Sequence, residues 1–174
     1  MTVVVDTSVL IDVLRGVPEA VEALRRARLA GRLHASEVAR LEVLADMRPP
    51  QEDATRTLFG AFQWHPLDEG IAEIAGDLGR QWLPGNRGID SADLAIAATA
   101  LALEARLLTR NVKHFPMFNG LSSPDRAGNG RLPPPTAATG HIRPPDAAEY
   151  LRSASSRSRR YSYSCAAARC QLTR

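Results

Sequence analysis

Four short stretches of this 174-residue chain carry oxygen side chains at places where chemistry is commonly done. The first is Val3-Val4-Val5-Asp6-Thr7-Ser8, a run of β-branched residues that reads as a buried strand ending in a carboxylate and two hydroxyls. Strand C-termini of a parallel sheet open onto a shared crevice, so this placement aims Asp6 into one. The second, Ser36 to Ala45, reads as a helix with Glu42 between Val38 and Ala45 and beside Leu41, while Arg40 points away. A carboxylate on an apolar face needs a partner or a metal, whereas one at the edge of the stripe simply reaches out to water. The third, Gly88-Ile89-Asp90-Ser91-Ala92-Asp93, opens an Ala-rich helix with two acids at i, i+3, near one face. Helix capping and the helix dipole alone would account for both acids. The small residues Ala97 and Ala100 on the side of Asp93 instead allow close packing, which would turn Asp93 inward. The fourth, Thr109-Arg110-Asn111, ends a short strand and sets Asn111 on the same rim as Asp6, as a neutral donor and acceptor or as a turn residue.

Oxygen-only ligands at strand and helix ends suit Mg²⁺, with Mn²⁺ able to substitute, rather than zinc. Mg²⁺ keeps several waters, takes few carboxylates and then binds a substrate phosphate. Such a centre lowers the pKa of a bound water and stabilises charge on a phosphate under attack. Several acids would repel a phosphodiester unless a cation neutralised them. The chemistry implied is metal-assisted phosphodiester hydrolysis.

The elements needed to place these groups alternate along residues 1–120. Val3–Val5, Leu33–Ala35, Trp64–Leu67 and Arg106–Thr109 read as strands. Helices are expected over Ser8–Arg15, from Pro18 to Gly31, from the cap Ser36 to Asp46, over Gln51–Phe62, from the cap Asp68 to Trp82, and over Asp90–Glu104. In the second of these, Ala20, Val21, Leu24, Ala27 and Leu29 form the apolar stripe. The alternation favours an α/β fold, a parallel sheet flanked by helices.

Charge divides the chain. Residues 1–125 carry 13 basic and 17 acidic residues, net −4, and residues 126–174 carry 9 and 2, net +7. The second part contains Pro133-Pro134-Pro135 and a Ser/Arg run over 153–160, without sustained periodicity. Such composition cannot bury enough apolar area to offset ordering. The expected organisation is a nuclease-like domain over 1–121 and a low-complexity, disordered basic tail over 122–174. That tail is either solvated or in contact with polyanions. The two cysteines, Cys165 and Cys170, are too few for a disulfide framework or a Cys-rich zinc site. The longest apolar run, Leu94–Leu103, is about half of the roughly 20 residues a membrane helix needs. No signal peptide is legible, and a cytoplasmic location is expected. Phosphate-loop and dinucleotide motifs are absent. Arg25, Arg26, Arg28 and Arg32 form a basic run, either a grip for an RNA backbone or a solvated face. Among the scattered histidines, His34 and His65 fall in expected strands, packed or partly exposed, and His114 lies near Asn111, where contact with substrate is one reading.

Four segments occur in order and at familiar separations: Val3 to Ile11, Ser36 to Leu44, Asp93 to Ala100 and Leu108 to Phe115. Together they resemble the PIN-domain endoribonucleases of the VapC type, the toxin halves of toxin–antitoxin pairs, over about residues 1–120. The resemblance implies that Asp6, Glu42 and Asp93 are catalytic metal ligands, with Thr7 or Ser8 supporting them by hydrogen bonding and Asp90 auxiliary. Where that family often carries a fourth acid, this chain has Asn111, which points to one metal rather than two. The resemblance further implies Mg²⁺-dependent cleavage of RNA, homodimers, and neutralisation by a VapB-type antitoxin. Such antitoxins lie across apolar grooves, lined here by helices within 8–30 and around 50–62, and often present an Arg to the acids. The alternative is a catalytically impaired module of the same fold that binds RNA or antitoxin without cutting.

Overall fold

A computed structural model describes residues 2–121 of the chain. The expected tail over 122–174, including both cysteines, lies outside the described residues. Four strands form one sheet: β1 (Thr2–Val5), β2 (Arg32–Ser36), β3 (Phe62–His65) and β4 (Arg106–Leu108). Their order is β3-β2-β1-β4 and every pairing is parallel, with Val3 opposite Leu33 and Arg106. Six α-helices connect them: α1 (Thr7–Leu14), α2 (Pro18–Ala30), α3 (Glu37–Asp46), α4 (Glu52–Phe59), α5 (Glu69–Trp82) and α6 (Ser91–Ala102). The α/β fold with a helix-flanked parallel sheet is therefore the one expected.

Strands covered on both faces must be apolar throughout. Val3, Val4 and Val5 meet that demand and are all buried. The chain steps outward from β1 to β2 to β3, then returns across the sheet to place β4 on the other side of β1. That reversal creates a crevice beyond the C-terminal ends of β1 and β4. The amide of Asp6 donates to the carbonyl of Leu108 at 2.9 Å and ties the two strand ends together. Helix α6, in which Asp93 to Ala100 are all buried, packs against α5, α3 and three of the strands. Its alanines keep it thin enough to be enclosed this way.

Several boundaries move. The helix expected over Gln51–Phe62 is a 3₁₀ turn at Pro49–Gln51 followed by α4, which stops at Phe59. Gly60 and Ala61 close it with amide bonds to the carbonyls of Arg56 and Leu58. Phe62 is thereby free to pair with Leu33 in β3. The strand expected at Trp64–Leu67 thus starts two residues early, and it ends at His65 because Pro66 has no N–H for the ladder. At the other end, α6 stops two residues before the expected Glu104, which adopts a left-handed φ of 48°.

The apolar face expected for α3 is also revised. Ala39 and Val43 are its buried residues, whereas Leu41 and Ala45 are exposed and Val38 is half-buried. Arg40 does not point into water; its guanidinium lies 4.3 Å from the Trp64 ring centroid and 5.4 Å from that of Phe59. On α2, Ala20, Ala23, Leu24 and Ala27 face inward, while Val21 and Leu29 are exposed. Of the basic run, Arg25 and Arg26 pair with Glu22. Arg32 begins β2, so this end of the run sits at the N-terminal rim of the sheet, opposite the rim that carries Asp6.

His34 and His65 meet ring nitrogen to ring nitrogen, Nδ1 to Nε2 at 2.8 Å, between neighbouring strands. One ring must donate and the other accept, so the contact requires at least one neutral ring. Burial pushes both pKa values down, and that of His34 is lowered further by His65 and Arg32. The unfolded chain takes up these protons near pH 6.5, but the folded chain resists them until lower pH. Stability contributed by this pair is therefore intact above that range and falls as pH drops through it. The slope is at most about 1.4 kcal/mol per pH unit for each proton. Urea midpoints at pH 7.5 and 5.5 check this: the wild type loses more stability on acidification than His65→Gln. Equal losses would show the pair to be uninvolved.

Candidate active site

The crevice at the β1/β4 rim gathers side chains from four segments. Asp6, directly after β1, is 3% exposed. Its Oδ2 accepts the Thr109 hydroxyl at 2.7 Å and also the hydroxyl of Ser8. Thr7 turns the other way and donates to Glu42 Oε2 at 2.6 Å, tying α1 to α3. Asp90 caps α6, its Oδ1 accepting from the amides of Ala92 at 2.8 Å and Asp93 at 2.9 Å. Asp93 Oδ2 returns the contact by accepting the Asp90 amide at 3.1 Å. Both readings of this acid pair therefore hold. They form a reciprocal cap, and Asp93, nine per cent exposed, also lines the crevice.

The crevice has a volume of about 570 Å³ and includes Asp6, Glu42, Asp90, Asp93 and Asn111 in its walls. Every site residue singled out from the sequence is thus on one cavity, with Thr7 and Ser8 among them. Asn111 is exposed at its mouth, with its backbone N–H on Thr109 Oγ1 at 2.9 Å.

A match to the PIN-domain family model covers residues 3–116. The chain belongs to the PIN-domain family. It is 43% identical over 121 residues to ribonuclease VapC19 of Mycobacterium tuberculosis, spanning 69% of this chain and 97% of that protein. It is 39% identical over 122 residues to ribonuclease VapC10 of the same organism, spanning 70% and 92%. Among solved structures, a toxin–antitoxin complex from Klebsiella pneumoniae superposes with a TM-score of 0.59 at 29% identity, covering 70% of this chain and 97% of that one. The chain is a PIN-domain protein related to the VapC ribonuclease toxins.

The electrostatics of this PIN-domain crevice are unbalanced. Asp12 joins the four acids already named, against the guanidinium groups of Arg15 and Arg110. Burial raises the pKa of Glu42; the Thr7 hydrogen bond opposes this, and the charges of Asp90, Asp6 and Asp93 add to it. Burial likewise raises that of Asp93, with the Asp90 amide and His114 working against it and the charges of Asp90 and Asp6 adding to it. These carboxylates hold like charges together in a partly dry site, an arrangement that a divalent cation relieves. Among the described residues, no three His, Cys, Asp or Glu side chains converge closely enough to ligate one ion directly. The donor set fits an ion that takes a few carboxylate oxygens and keeps water for the rest, as Mg²⁺ does.

Three features of the site were not read from the sequence. Thr109, 1% exposed, is the second hydroxyl on Asp6. Its signal was only a hydroxyl at a strand end. Arg110 forms an ion pair with Asp12, and its amide donates to Ser8 Oγ at 3.2 Å. This contact across 98 residues carries no local signature. His114 places Nδ1 3.0 Å from Asp93 Oδ2.

A second cavity, of about 270 Å³, adjoins the first and shares Ile11 and Arg15 with it. Its apolar wall is Ile11, Leu14, Val43 and Met47. Of the grooves expected from helices within 8–30 and around 50–62, α1 with Arg15 and Gln51 before α4 line this cavity, and the end of α3 with Met47 and Arg48 after it supplies the rest. Among the described residues, no helix is long and apolar enough to cross a membrane.

Proposed function

We propose that this protein is a Mg²⁺-dependent endoribonuclease, the toxin component of a toxin–antitoxin system, that hydrolyses RNA phosphodiester bonds. The observation that carries the reading is the meeting of Asp6, Glu42 and Asp93 on one cavity at the point where the strand order reverses. Asp6, Glu42 and Asp93 would hold the cation, partly through waters it keeps, and Mn²⁺ could replace it. When bound, it lowers the pKa of a water and offsets the charge of the phosphate under attack.

The remaining roles belong to the chain itself. Ser8 and Thr109 fix one oxygen of Asp6, and Thr7 fixes one oxygen of Glu42. Asp90 holds the start of α6 and adds negative charge beside Asp93. Asn111 offers a neutral amide at the mouth, which favours one cation over two. Arg15 and Arg110, each oriented by an acid, face the RNA backbone on the α1 side. The protein acts as a homodimer in the cytoplasm, with residues 1–121 as the nuclease domain. A VapB-type antitoxin seats an apolar side chain in the cavity of Ile11, Leu14, Val43 and Met47 and extends toward the acids.

The test is cleavage of a mixed cellular RNA by the purified full chain. Cleavage in Mg²⁺, its loss in chelator and its return with Mg²⁺ or Mn²⁺ are expected. RNA binding without turnover under all these conditions would overturn the nuclease reading in favour of a binding module.

A further inference from the structure

Asp93 is held from two directions. The amide of Asp90 reaches its Oδ2 from the start of α6, and His114 Nδ1 reaches the same oxygen at 3.0 Å from the turn after β4. That turn is not loose. It is a 3₁₀ turn, Val112–His114, in which the His114 amide bonds to the carbonyl of Asn111 at 2.9 Å. The next residue, Phe115, is fully buried in the core. An ionised carboxylate oxygen facing Nδ1 can only accept, so with Asp93 ionised Nδ1 carries the proton whether or not the ring is charged.

We propose that His114 is a positioning residue for this site: its Nδ1–H locks the Asp93 carboxylate by Oδ2 and keeps Oδ1 for the crevice. The inference rests on the proposed role of Asp93. Without His114, only the backbone amide of Asp90 would restrain rotation of the Asp93 carboxylate. Groups that orient a ligating carboxylate from behind commonly matter about 10–100-fold in activity or metal affinity.

Two substitutions separate the ring nitrogens. His114→Asn keeps an N–H donor where Nδ1 sits, and His114→Gln moves the amide out toward the place of Nε2. In the full chain, His114→Asn is expected to retain kcat within about threefold. His114→Gln and His114→Ala are expected to lose about 10–100-fold in kcat with KM little changed, and to bind Mn²⁺ more weakly by calorimetry. Nitrogen-15 NMR of the wild type without metal should show the proton on Nδ1. A bare Nδ1, or a Gln variant as active as the Asn variant, would overturn the proposal. Should the wild type cleave no RNA, the functional reading fails, and the NMR signature still decides whether His114 holds Asp93.

Discussion

Replacement of Asp6 by Asn is expected to reduce RNA cleavage by about 10³-fold or more while leaving the fold intact. The stability side follows from its partners. Asp6 is buried, and its Oδ2 accepts two hydroxyls, from Ser8 and Thr109. An Asn carbonyl oxygen can accept the same two bonds, so the tie between β1 and β4 survives. The other oxygen becomes an NH₂ group, a donor that cannot ligate a cation. Loss of a ligand that stabilises transition-state charge is worth several kcal/mol, and each 1.36 kcal/mol is tenfold in rate. Circular dichroism and urea unfolding should match the wild type while turnover disappears. A variant that unfolds, or one that cuts normally, would each contradict this account of Asp6.

Glu42→Gln is expected to lose activity to a similar degree and to gain stability. Burial raises the pKa of Glu42, and Asp90, Asp6 and Asp93 add to that rise. The folded state therefore disfavours the ionised form relative to the unfolded chain. Stability linked to this group is fully present below the ordinary carboxylate pKa and is lost as pH rises through the higher folded value. At neutral pH an uncharged isostere escapes that loss, and its carbonyl can still accept the Thr7 hydroxyl. A small gain in melting temperature without metal is in keeping with relief of a strained functional site. Melting temperatures should show the gain at pH 7 and little or none at pH 4. Saturating Mg²⁺ should reverse the order if Glu42 is a ligand as proposed, because binding then stabilises the wild type more.

Much of this arrangement was legible in the sequence because it depends on local patterns. Val3–Val5 are β-branched and continuous, so β1 and the position of Asp6 at its end followed directly. The Asp90/Asp93 spacing gave the start of α6 to within a residue. The face of α3 was misread for a physical reason. Leu41 and Ala45 are apolar yet exposed, and the buried face is made of Ala39 and Val43. Hydrophobicity marks which residues can be buried, and packing decides which are. Glu42 still reaches the crevice, because it lies one position before Val43 and three after Ala39. Contacts between distant segments left no trace in the pattern. The hydroxyl of Thr109 on Asp6, the pairing of Arg110 with Asp12 and the approach of His114 to Asp93 all depend on β4 returning beside β1.

The central claim, hydrolysis by water under metal assistance, is tested most directly by the chemistry of the product ends. RNA is cleaved by the purified full chain with Mg²⁺ in water enriched in oxygen-18, and the termini are examined by mass spectrometry. Attack by water leaves one heavy oxygen on the product phosphate and no 2′,3′-cyclic phosphate, and that is the result predicted here. Cyclic phosphate ends without the label, formed by attack of the ribose 2′-hydroxyl and unaffected by chelator, would contradict the account.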